Sequence, residues 1–130
     1  MTVPGDHIEK LVRRGAVSVH PEDPVGTIAK TLYREEVGVV LVREADGAVR
    51  GIVSERDVIR ALADDEVSTE DQRAVDLMSF DVESVRPHET VEEAARTMVR
   101  GGIRHLAVMH EEQPIGVVSM RDVLETYLQS

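Results

Sequence analysis

The chain has 130 residues, 42% of them apolar, and a formal net charge of −10, enough for one compact unit or two small halves sharing a core. The absence of cysteine excludes disulfides and thiolate metal sites. No apolar run approaches the roughly 18 residues of a membrane span, and the N-terminus lacks a signal-peptide pattern, so a soluble, cytoplasmic protein without membrane contact is expected.

From the N-terminus, Met1 to Asp6 is polar with Pro4-Gly5 and reads as a loose arm. Ile8, Leu11 and Val12 have helical spacing, stopped by Gly15. Ala16 to Val19 is a short extended piece, and His20 to Pro24 is a turn punctuated by Pro21 and Pro24. Val25, Ile28, Ala29, Leu32 and Tyr33 follow the i, i+3, i+4, i+7, i+8 pattern of an amphipathic helix. Val37 to Val42 is almost continuously apolar, as in a buried strand. Asp46-Gly47 marks a hairpin turn, Val49 to Val53 returns, and Ser54 opens a helix to about Ala63. Asp64 to Arg73 is acidic and aperiodic, a linker. Val75 to Met78 restarts order, and Phe80-Asp81 forms a turn.

The same order then recurs. Ser84-Val85-Arg86-Pro87 stands where Ser18-Val19-His20-Pro21 stood. Val91, Ala94, Ala95, Met98 and Val99 match the first long helix, and Ile103 to Val108 matches Val37 to Val42. The second hairpin turn, Glu111 to Pro114, is one residue shorter, so the offset is 66 residues before it and 65 after it. Each half ends in one motif: Gly51-Ile52-Val53-Ser54-Glu55-Arg56-Asp57, then Gly116-Val117-Val118-Ser119-Met120-Arg121-Asp122. The resulting boundaries are an arm and short helix over 1–15, a first repeat over 16–63, an acidic linker over 64–74 and a second repeat over 75–130. The fold class is mixed α/β (α+β), two β-α-β-β-α repeats packed sheet to sheet with pseudo-twofold symmetry.

In each motif a strand ends and a helix begins, where free backbone N–H groups and the helix dipole favour an anion. An ionised Asp57 or Asp122 accepts hydrogen bonds from both hydroxyls of a ribose, as the acid of dinucleotide folds does. Ser54, Ser119 and the free amides reach the sugar or first phosphate. The same residues also read as a capping box, good for about 1 kcal/mol of helix stability. Both readings stand at this point.

Two such units, each closing on Gly-h-h-Ser-x-x-Asp, resemble a pair of CBS domains, a Bateman module, over roughly residues 8 to 129. Val75-Asp76-Leu77-Met78 looks like the usual lead-in. Ile103-Arg104-His105-Leu106-Ala107-Val108 resembles the family's Ile-Arg-x-Leu-Pro-Val strand, with Ala107 where Pro is common. The resemblance implies a free-standing regulatory module binding AMP, ADP, ATP or S-adenosylmethionine between the repeats. It also implies a homodimer whose ligand-dependent surface is read by a partner protein. Val17, Ser18 and Val19 would frame the base in one cleft and Glu83, Ser84 and Val85 in the other. Val39, Ile52, Leu106 and Val117 would serve as walls, although each also reads as ordinary core. Phosphates need cations, and Arg56 and Arg121 lie in the first helical turns. Arg104 and His105 lie on the second strand, where the first repeat has Gly38 and Val39. The two clefts are therefore chemically unequal.

No cofactor is expected beyond such a ligand, with magnesium only alongside ATP. His7, His20, His88, His105 and His110 lack the spacing of a zinc helix, and no nucleophile–base arrangement or phosphate loop points to an enzyme. The acidic balance makes nucleic acid an unlikely partner. The rival reading is a ligand-free interaction or dimerisation subunit whose Ser-x-x-Asp motifs only cap helices.

Overall fold

In the computed structural model of the protein, residues 1–64, 66–80 and 83–129 are described. They form two compact units that do not follow the order of the chain. One unit holds Val17–Val82. The other joins Met1–Ala16 to Glu83–Ser130.

In the Val17–Val82 unit, β1 (Ser18–Val19) pairs in parallel with β2 (Val39–Arg43), and β2 pairs antiparallel with β3 (Val49–Ser54). Helix α1 (Val25–Glu35) links β1 to β2, and α2 (Glu55–Ala63) follows β3. The period of 2 along a strand puts Val40, Val42 and Val53 on the helix side, where they pack with Val25, Ile28, Leu32, Val58 and Ala61. Val40, Val42, Val53 and Ile28 are 0% exposed, and full burial of such a side chain contributes about 1.5–3 kcal/mol relative to exposure. The hairpin turn forms at Asp46-Gly47, with Gly47 at φ 95°. Asp46 Oδ1 accepts the Ala48 N–H at 2.9 Å.

The second unit repeats this plan. Strand β4 (Ser84–Val85) runs parallel to β5 (His105–His110), which pairs antiparallel with β6 (Gln113–Ser119). Helices α4 (Val91–Gly101) and α5 (Met120–Gln129) take the places of α1 and α2. Even the register shifts correspond, at Val42/Arg43 and at Val108/Met109. The core combines Val85, Val91, Ala94, Met98, Leu106, Val108, Val118 and Val123 with Ile8 from the N-terminal segment.

The N-terminal segment is not a loose arm. Its short 3-10 helix, Ile8–Leu11, buries Ile8 completely. The Pro4 and Asp6 carbonyls accept the N–H groups of Glu92 and Val91, at 3.0 and 2.9 Å, at the start of α4. Those amides have no partner inside the helix, so the segment satisfies what α4 leaves open. The end of the stretch expected to be a linker, Gln72 to Ala74, is likewise packed, but on the first unit. Gln72 is buried and its Nε2 donates to the Ala61 carbonyl at 3.0 Å. Ala74, at the start of the single-turn helix α3 (Ala74–Leu77), is fully buried in the first core. Asp65 of that stretch and Asp81 of the expected Phe80-Asp81 turn lie outside the described residues.

The lead-ins are thus exchanged. The segment before the first repeat packs on the second sheet, and the segment before the second packs on the first. Isolated bridges fall at equivalent positions: His7 with Thr90, and Arg73 with Pro24.

One expectation about the helices fails. Tyr33 and Val99 complete the apolar stripes of α1 and α4, yet they are 85% and 78% exposed. Each helix buries a face narrower than its stripe.

Candidate functional site

Both Ser-x-x-Asp segments are helix caps. Ser54 is the N-cap of α2: its Oγ accepts the Asp57 N–H at 3.3 Å, and Asp57 Oδ2 accepts the Ser54 N–H at 2.8 Å. The Ser54 hydroxyl also donates to Asp57 Oδ2 at 2.9 Å. At the second join, Ser119 Oγ accepts the Asp122 N–H at 3.1 Å and Asp122 Oδ2 accepts the Ser119 N–H at 3.0 Å. In both, the cap uses Oδ2 and leaves Oδ1 outside its bonds. Arg60 Nη1 stands 3.7 Å from Asp57 Oδ1.

The motif glycines have a separate role. A Cβ on Gly51 would stand 2.6 Å from the Ser79 carbonyl oxygen and 2.9 Å from Met78 Sδ. A Cβ on Gly116 would overlap Val12. Both glycines make room for the exchanged lead-in, and Ile52 and Ser79 then pair through two backbone hydrogen bonds of 3.1 and 2.9 Å. Met78 and Val12 are related by the 66-residue offset, so the arrangement is itself duplicated.

Strand register shows which candidates share a surface. Ser18 pairs with Leu41, Leu41 with Ile52, and Val39 with Ser54. Paired residues lie on one side of a sheet, so these five residues occupy the side away from the helices. In the second sheet, Ser84, Ala107, Val117, His105 and Ser119 do the same. Asp57, Arg56, Asp122 and Arg121 adjoin these surfaces in the first helical turns. Val17 is half-buried, and its carbonyl accepts the Leu41 N–H at 2.9 Å.

Four candidates lie elsewhere. Leu106, Val19 and Val85 point to the helix side and belong to the cores, so they do not share the side that holds Ser18, Val39 and Ile52 or its counterpart. The counterpart of Val39 is His105, and that of Leu106 is Val40, one residue out of phase. Arg104 is not on the strand: β5 begins at His105, and Arg104 is exposed in the preceding bend. Leu41 and Ala107, which the sequence reading passed over, sit at the centre of the two surfaces. The alternation along each strand is the signal that marks them.

Arg56 and Arg121 are exposed. Arg121 Nε lies 3.9 Å from Glu125 Oε1, one helical turn on. Among the described residues, no three His, Asp or Glu side chains are placed to hold a metal ion, and no helix is long and apolar enough to cross a membrane.

The CBS domain family model matches the chain twice, over residues 8–64 and 74–129. The chain belongs to the CBS domain family. The CBS assignment extends to solved structures. The CBS-domain containing protein of Agrobacterium tumefaciens is 28% identical with a TM-score of 0.81, covering 95% of this chain and 94% of its own. A CBS domain protein of Pyrobaculum aerophilum complexed with AMP is 26% identical with a TM-score of 0.78, covering 94% and 98%. A protein of Methanopyrus kandleri is 31% identical over 120 residues, 91% of this chain, and the match spans 61% of that relative's length.

Proposed function

We propose that this CBS pair is a regulatory module that binds an adenosine ligand, AMP, ADP, ATP or S-adenosylmethionine, and is not a catalyst. Asp57 and Asp122 would accept the ribose hydroxyls through the carboxylate oxygens the caps leave over. Ser18, Ile52 and Val39, and Ser84, Val117 and His105, would border the base and sugar. The reading is carried by the duplication of the join, with the same reciprocal Ser–Asp backbone bonds in both units and an Oδ1 that neither cap uses. The AMP complex of the Pyrobaculum relative supports the ligand class.

The module would act as a cytoplasmic homodimer whose surface a partner protein reads. Exposed apolar side chains recur at equivalent places on the helix pairs, Tyr33, Ile59 and Leu62 against Val99, Leu124 and Tyr127, and such patches favour association. Ligand binding would shift the module between two arrangements by differential affinity.

The satisfied caps favour a second reading, an interaction subunit with no small-molecule ligand. Calorimetric titration with AMP, ADP, ATP and S-adenosylmethionine, with and without magnesium, separates the two. Saturable binding that Asp122→Asn or Asp57→Asn weakens supports the sensor, because Asn keeps an oxygen for the cap and loses the charge. No heat and an unshifted melting temperature support the subunit.

A further inference from the structure

We infer that two copies of the chain associate through unlike faces, the α1–α2 face of one against the α4–α5 face of the other. This rests on the homodimer of the reading above and specifies which surfaces meet. The two faces are twins by duplication and opposites in shape. Tyr33 is 85% exposed on α1, so its ring stands clear of the first helix pair. Its twin 66 residues on is the smaller Val99. There a groove of about 690 Å³ opens on the second helix pair, with Ala95, Val99 and Tyr127 in its lining. An exposed ring on one face and a groove at the same place on the other are complementary, and an aromatic side chain seated in a pocket is a strong interface anchor. Two α4–α5 faces brought together would enclose two grooves with no Tyr33 to fill them, and unfilled space forfeits dispersion contacts.

Charge points the same way. From Val25 to Arg34, α1 carries Lys30 and Arg34 and no carboxylate. The groove on the other face is lined by Glu89, Glu92 and Glu93 against Arg96 and Arg100, and Arg96 is already bonded to Glu92 at 2.8 Å. Lys30 lies one turn before Tyr33 on the same side of α1, so a Tyr33 ring in the groove brings the ammonium beside these carboxylates. The twins of Glu92 and Glu93 are Gly26 and Thr27, so a pairing of two α1 helices offers Lys30 no acid in that turn. An exposed ion pair such as Arg96–Glu92 is worth little, and Glu92 can turn to a cation of the second copy at small cost.

The following helices repeat the contrast. Arg60 on α2 stands where α5 has Glu125, 65 residues on. Each has a local contact within its own helix, Asp57 at 3.7 Å and Arg121 at 3.9 Å. Beside them Ile59 and Leu62 are exposed on α2, and Leu124 and Tyr127 on α5. Unlike pairing gathers these apolar side chains with opposite charges in one contact, whereas like pairing gathers them with their own sign.

The chain has no cysteine, so an introduced one reports its neighbour. Arg34→Cys adjoins the Tyr33 ring, and Arg100→Cys stands in the groove lining. The two variants, tagged to differ in size, are mixed and treated with a short bismaleimide. The expected product joins an Arg34→Cys copy to an Arg100→Cys copy, with few pairs of the same variant. In sedimentation of the full chain, Lys30→Glu and Glu92→Lys should each raise the dissociation constant about ten-fold, since each sets like charges face to face. Combined in one chain they should recover most of the loss. Val99→Tyr, which fills the groove, should weaken association as Tyr33→Ala does. A melting curve confirms that each variant is folded. Pairs of the same variant as the main product, or charge reversals that leave the dissociation constant unchanged, would overturn the inference and leave the homodimer standing. A wild type that stays monomeric at every concentration would overturn both.

Discussion

Val12 fills the space that a side chain on Gly116 would need, and Met78 does the same at Gly51. The two contacts differ in what else stands behind them. Gly51 also faces the Ser79 carbonyl oxygen at 2.6 Å, a backbone atom held by the Ile52–Ser79 bridge. Overpacking of this kind costs about 1–3 kcal/mol. Gly51→Ala is expected at the upper end of that range and Gly116→Ala lower, as read by denaturant midpoints. Val12→Ala should recover much of the Gly116→Ala loss in a double-mutant cycle. Met78→Ala should recover little of the Gly51→Ala loss, because the carbonyl remains.

The caps should also differ in strength. Replacing a capping Ser by Ala costs about 0.5–2 kcal/mol. Ser54→Ala removes the Asp57 N–H acceptor and the hydroxyl bond to Asp57 Oδ2, whereas Ser119→Ala removes only the acceptor. Chemical denaturation of the two variants should therefore rank Ser54→Ala as the more destabilised. Equal losses would show that the extra hydroxyl bond contributes nothing.

Glu36 ends α1 in the left-handed region, φ 54° and ψ 45°, and Gly102 ends α4 at φ 62° and ψ 33°. A side chain in this region costs about 1–2 kcal/mol that glycine avoids. Glu36→Gly should raise the melting temperature by a few degrees, about 1 kcal/mol, and Gly102→Ala should lower it. The β5–β6 turn carries the same cost twice, at Glu111 and Glu112, φ 48° and 66°. Asn-Gly at these positions should stabilise the hairpin, again visible as a higher melting temperature.

Asp6 ties down the N-terminal segment. Its Oδ2 accepts the Val3 N–H at 2.9 Å and lies 3.2 Å from Lys10 Nζ. The Val3 bond first, and the Lys10 ammonium next, hold its pKa below the ordinary 3.8. A carboxyl depressed in the folded state adds stability above its unfolded pKa and loses it as the pH falls through the folded value. Asp6→Asn should thus melt below the wild type at neutral pH, with the gap closing below pH 3.8. A gap constant down to about pH 2 would show that the charge is irrelevant.

Much of this was legible in the residues. The apolar spacing of Val25, Ile28 and Leu32, the Asp46-Gly47 turn and the cap at Ser54 are local signals, and each is found where its local chemistry places it. The duplication was legible because it needs only comparison of the chain with itself. Tyr33 and Val99 misled because periodicity reports which residues are apolar, and a helix on a three-stranded sheet buries fewer than the stripe contains. Leu106 misled through a one-residue phase error, which on a strand reverses the side. The exchange of lead-ins had no local trace. Nothing in Ile8 or Ala74 says which of two equivalent sheets will bury it, because that choice is made by contacts 81 and 51 residues away, at Glu89 and Asp23.

That exchange means that the unit of duplication and the unit of folding are different objects. A single repeat cut at its sequence boundaries carries the lead-in that fits the other sheet and lacks the one that covers its own. It can complete itself only by trading segments with a second molecule. The present chain is in effect a segment-swapped dimer written as one polypeptide, in which covalent linkage replaces a concentration-dependent encounter with an intramolecular one.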